Sequence, residues 1–113
     1  MPERRQLKDP ADVFILEVPS GHGIEYVAYP SPAVVRPGAK KIRFRNFCGS
    51  DVVLDLSTLP VKEKSLTVRA DGKQETATLR ADAQPGLYLY EVAVTPYGIT
   101  ASGGSSPKVI IDI

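Results

Sequence analysis

The sequence predicts an all-β fold, a Greek-key β-sandwich of about eight strands, and three observations carry that prediction. Short runs of β-branched and aromatic residues recur along the chain, each closed by a Pro, Gly or Asp cluster. No segment places apolar residues at helical spacing over a useful length. Ten prolines are scattered through 113 residues, a content that suits turn-rich sandwiches and would interrupt a helical bundle.

Residues 1–12 read as a polar arm or linker, with Pro2 and Pro10, and residues 13–113 as one domain. A first strand is predicted over Val13–Val18, and Pro19-Ser20-Gly21-His22-Gly23 reads as a turn cluster. Ile24–Tyr29 follows as a second strand, stopped by Pro30-Ser31-Pro32. Ala33–Arg36 and the turn Pro37-Gly38 lead into Lys40–Phe47. That strand alternates: Ile42, Phe44 and Asn46 share one face and Lys41, Arg43 and Arg45 the other, the pattern of a half-buried antiparallel strand. Cys48-Gly49-Ser50-Asp51 turns the chain into Val52–Leu56, and residues 57–64 form a loop or a single helical turn. Ser65–Ala70 and Gln74–Ala81 are two more strands, and the Asp71-Gly72 between them is a hairpin signal.

The strongest strand signal lies at Leu87–Val94, launched by Pro85-Gly86. Tyr88, Tyr90, Val92 and Val94 fall on one face and Leu87, Leu89, Glu91 and Ala93 on the other. Both faces are largely apolar, which predicts a central strand with at most one side open to water. Residues 95–107 read as a long Pro/Gly/Ser loop, and Lys108–Ile113 as the closing strand.

Composition narrows the function classes. A chain of this length buries roughly two-thirds of its unfolded surface and sustains one core without metal or disulfide. A net charge of +1 implies no bulk attraction to nucleic acid or anionic membrane, so no nucleic-acid partner is expected. One cysteine excludes an internal disulfide and suits a reducing compartment. No run approaches the ~20 apolar residues of a membrane span. Met1–Pro10 carries charges with no apolar run behind them, so it does not read as a secretory signal. The chain as written is therefore expected in the cytoplasm, or in the periplasm if a signal has been removed.

From Pro32 onward the order of motifs resembles the cupredoxins, the plastocyanin-type blue copper fold. The matching pieces are the entry Pro32 to Gly38, the strand Ile42-Arg43-Phe44-Arg45-Asn46 and the apolar run Val52 to Leu56. The strand Pro85 to Glu91 and the closing Lys108 to Ile111 complete the set. The resemblance spans most of the chain. It implies a metal site built from two imidazoles, a thiolate and a weak axial thioether. The first histidine of that pattern falls between the Asn46 strand and the apolar run, where this chain reads Cys48-Gly49-Ser50-Asp51. The thiolate falls at Val92, and the remaining ligands in a loop, residues 93–107, that contains neither His nor Met. The whole chain has one His (His22), one Cys (Cys48) and one Met. The expectation is a cupredoxin-like domain without type 1 copper and with no cofactor. An immunoglobulin-like sandwich is the alternative, without the Cys…Trp…Cys core of antibody domains, because the chain has no Trp.

Each candidate site has a plainer competitor. His22 is a ligand or base, or an exposed turn histidine. Cys48 is a reactive thiol, or a small buried hydrophobe as free cysteines usually are. A non-standard metal site from His22, Cys48 and Asp51 requires the three to converge. Asp51 and Asp55 share a strand face at a spacing too common to define a cation site, and Ser50, Asp51 and His22 lack the context of a catalytic set. Lys41, Arg43 and Arg45 form a basic stripe that either docks an acidic partner or is a solvated face paired with acids such as Glu75. Pro96, Tyr97 and Ile99 are the expected partner-binding residues, in the loop where the metal ligands of the resembled family lie. The expected role is a non-catalytic binding module for a protein partner, with a homodimer through edge strands also open. The rival is a metal or electron carrier with a non-standard site.

Overall fold

The computed structural model describes residues 10–21, 23–36, 38–94, 99–100 and 107–112. The fold is an all-β sandwich with eleven strand segments and, among the described residues, no helix. The elements are β1 (Ala11–Ser20), β2 (Gly23–Tyr29), β3 (Ala33–Val35), β4 (Lys41–Asn46), β5 (Val52–Asp55), β6 (Ser65–Val68), β7 (Lys73–Thr78), β8 (Gly86–Leu89), β9 (Glu91–Val94), β10 (Ile99–Thr100) and β11 (Lys108–Ile111).

One layer is the sheet β2-β1-β4-β7; the others are β10-β9-β5-β6 and β3-β11-β8. β8 and β9 are one line of chain interrupted at Tyr90, so the last two sheets share it as a second layer. The single central strand the sequence predicted is thus split: β8 pairs with β11 alone at the edge of its sheet, and only β9, between β10 and β5, is an interior strand. At the break the Tyr90 N–H still donates to the Pro107 carbonyl, at 3.0 Å and in the β8–β11 register, but Pro107 has no N–H to return the bond.

The core lies between the layers. Alternation in β4 buries Ile42, Phe44 and Asn46 and turns Lys41, Arg43 and Arg45 outward, as the pattern predicts. Opposite them lie Val52 and Leu54 of β5, Tyr90, and Val92 and Val94 of β9, all buried. The Phe44 and Tyr90 rings meet edge to face across the two layers, with centroids 5.6 Å apart at 68°. Such a pair adds about 1 kcal/mol to the burial of its two rings.

Four expectations need correction. β1 begins at Ala11, inside the segment read as a polar arm, and runs on to Ser20 through the residues read as a turn. Pro19 is accepted there because β4 pairs with β1 only as far as Ile15, so the strand end has a single neighbour. β4 is not purely antiparallel: it runs parallel to β1 and antiparallel to β7. Asp71-Gly72 has the positive φ values of a hairpin turn, 65° and 87°, yet makes no hairpin. β6 pairs with β5 and β7 with β4, so the turn carries the chain from one layer to the other. The Asp71 and Gly72 N–H groups are fixed by the carbonyls of Cys48 and Asn46. Ile99-Thr100, read as loop, pairs with Val94 and Ala93 of β9.

Two polar side chains inside the core have opposite status. The Asn46 amide donates to the Ser50 and Val68 carbonyls and its oxygen accepts from the Cys48 N–H, at 2.8–3.0 Å. The Tyr90 hydroxyl is buried and has no partner among the described residues. Removing a satisfied buried amide strands its partners, whereas removing an orphaned hydroxyl relieves a desolvation cost. Asn46→Ala is expected to cost about 3 kcal/mol and Tyr90→Phe to gain about 1 kcal/mol. Urea unfolding with unchanged m-values would read both.

Candidate functional site

The turn at residues 46–51 gathers most of the chemistry singled out from sequence. Cys48 is fully buried, so it behaves as the small hydrophobe. Burial, and then the nearby Glu17 carboxylate, push its thiol up to about 11. It is a poor nucleophile and a poor thiolate donor at neutral pH. Glu17 is itself committed, accepting the Gly49 N–H at 2.6 Å.

Asp51 is equally engaged. One oxygen accepts the Ala70 N–H at 2.9 Å and the other lies 3.5 Å from the Arg69 guanidinium. Asp55, on the same face of the strand, instead accepts the N–H and hydroxyl of Ser57. Those bonds hold its carboxyl below the usual range. Asp55 stands opposite Glu91 in the β5–β9 register, so the like charges form a shallow acidic recess with Ser57 and Thr58. The Thr58 hydroxyl donates to the Leu89 carbonyl there.

The donor set does not fit a blue copper centre. Val92, where the resemblance places the thiolate, is a fully buried aliphatic residue packed in the core. Among the described residues, no three His, Cys, Asp or Glu side chains are grouped to hold a metal ion. His22, Pro96 and Tyr97 lie outside the described residues, and Ile99 is described only as a strand position.

The outward face of the sheet β2-β1-β4-β7 is a surface that sequence reasoning missed. Register aligns Tyr29, Phe14, Arg45 and Gln74 in one row across four strands, and Val27 beside Leu16 in the next. Phe14 and Phe47 stack with centroids 5.9 Å apart, and the Arg45 guanidinium sits 6.0 Å from the Phe47 centroid. Tyr29 is 61% exposed and Phe47 49%. The basic stripe is therefore not a solvated face paired with Glu75. Arg43 pairs with Asp12 at 2.6 Å and Arg45 bonds Gln74, while Glu75 stands opposite buried Phe44 on the other side of the sheet. The available signal was the run Val13-Phe14-Ile15-Leu16, apolar at both parities, which a half-solvated strand does not need.

Two measurements check the thiol. Ellman's reagent at pH 7.5 should label Cys48 slowly in the folded protein and completely in urea. Folded Cys48 keeps its proton to about pH 11 against an ordinary 9.0, so unfolding releases a proton between those values. Stability is then complete below pH 9 and falls as pH rises toward 11, and Cys48→Ala should flatten that decline.

Neither a protein-family model nor a curated protein matches this chain.

Proposed function

We propose that this protein is a non-catalytic binding module on a cupredoxin-like scaffold that lacks a type 1 copper site. The observation that carries the reading is the chain's donor inventory: one imidazole, one buried thiol and an aliphatic Val92 where the resemblance calls for a thiolate. The order of strands supports the scaffold. β1 runs parallel to β4 and β3 parallel to β11. Parallel pairs in both layers depart from the two antiparallel sheets of the immunoglobulin-like alternative.

Binding rather than catalysis follows from what the surface offers. The hydroxyl–carboxylate pair among the described residues, Ser57 and Asp55, sits in an open recess with no imidazole beside it, and the broadest exposed feature is apolar and aromatic. The Tyr29, Phe14 and Phe47 face, with Arg45 over a ring, has the composition of a protein-interface core. The segment after β9 that carries Pro96 and Tyr97 and ends at Ile99, the first residue of β10, is the second partner surface proposed.

A Cu(II) titration watched for a thiolate charge-transfer band tests the reading. The expected result is no visible band and no stoichiometric copper. An intense band that disappears in Cys48→Ser overturns it, because His22 and Cys48 would then meet at one metal. Affinity capture tests the loop: Tyr97→Ala should lose a partner that the parent protein retains, and unchanged capture removes the loop from the proposal.

A further inference from the structure

A second concave surface lies at the far end of β4 from the 46–51 turn. It has a volume of about 490 Å³, within the range of small-molecule sites. Its apolar walls include Ala39, Leu79 and Ala83, and its charged residues are Lys40, Lys62 and Arg80. Among the described residues no carboxylate lines it. The hollow exists because the chain places small side chains where three segments converge.

Those segments are locked to one another by the backbone. The Leu79 N–H donates to the Lys40 carbonyl at 2.8 Å, the Lys62 N–H to Thr78 at 2.8 Å, and the Arg80 N–H to Pro60 at 2.9 Å. The walls are formed in advance, so a ligand does not have to order them. The nearby acids are committed. Asp82 pairs with Arg80 at 3.2 Å, and the Glu63 carboxylate accepts the Thr78 N–H at 2.8 Å. Lys40 and Lys62 have no carboxylate partner among the described residues.

An apolar hollow with two uncompensated ammonium groups and a guanidinium selects for an anionic head on an apolar body. We infer that this groove binds a free amphipathic carboxylate, its chain against Ala39, Leu79 and Ala83 and its head at Lys40 and Lys62. The inference goes beyond the binding-module reading, since the groove is separate from the 46–51 turn and from the aromatic face. A copper band would leave it standing.

The test is an amide NMR titration of the full chain with decanoate below its micellar concentration and with decan-1-ol as the uncharged control. Decanoate should give saturable one-to-one shifts confined to residues 38–40, 61–63 and 78–83, and decanol markedly weaker ones. Lys40→Gln with Lys62→Gln should weaken decanoate about fivefold, the scale of two exposed ion pairs. Ala81→Phe, at an exposed wall position, should abolish binding by filling the hollow. If that variant loses its dispersed spectrum, the lysine variant decides the matter. Equal response to decanol and decanoate, no saturable shift, or shifts centred on Tyr29 and Phe47 would each overturn the inference. So would unchanged affinity in the lysine variant, or binding to anionic vesicles without binding to free decanoate.

Discussion

The side-chain amide of Asn46 is where the two layers of the sandwich are tied by polar bonds rather than by packing alone. It sits at the end of β4 in one layer, donates to Val68 in β6 of the other, and closes the intervening turn through Ser50 and Cys48. The main-chain carbonyl of the same residue accepts the Gly72 N–H, which sets the return crossing into β7. A buried amide is costly unless each of its bonds is made, so the satisfied arrangement tolerates few alternatives. The position of Asp51, the burial of Cys48 and the entry of β5 all follow from it. The 46–51 turn is thereby a structural joint. Its polar side chains are engaged within the fold: Asn46 and Asp51 bond backbone groups, and Asp51 also faces Arg69.

The sequence was a good guide wherever one periodicity dominated. The alternation of β4 marked Ile42, Phe44 and Asn46 as buried, and the parity of Leu87–Val94 put Tyr90, Val92 and Val94 inward, although only its second half became an interior strand. It misled where local chemistry had two outlets. Asp71-Gly72 has the backbone of a hairpin turn, but which strands pair is settled by distant partners: β4 and β5 were already placed to receive β7 and β6. The aromatic face was illegible for a related reason. Phe14 and Leu16 lie at one parity and Val13 and Ile15 at the other, so nothing local says which row meets the core and which meets solvent. The absence of a type 1 ligand set, by contrast, needed only a count of residue types.

Seen together, the surfaces describe a scaffold with three separate exposures. The 46–51 turn is a packed joint at the start of β5, and an acidic recess opens at the other end of that strand. One broad sheet face carries rings and a guanidinium. The opposite end of β4 opens into a small-walled hollow ringed by cations. The hollow shares no side chain with the other two, whereas Phe47 belongs both to the 46–51 turn and to the aromatic face. Change at the hollow is expected to leave the others intact.

The position of the parallel pairs also shapes how the molecule is assembled. β1 lies between β2 and β4, and β11 lies between β3 and β8, so both strands are interior members of their sheets. Five of the eight ladders among the described residues join segments that are not consecutive strands, the arrangement that slows folding because loop closure precedes the reward of pairing. During synthesis the first layer has β1, β2 and β4 early, but β3 and β8 wait with open edges until residues 108–111 emerge. A chain built this way is exposed to aberrant edge pairing for most of its translation. Its yield in a cell depends on that interval as much as on the stability of the finished sandwich.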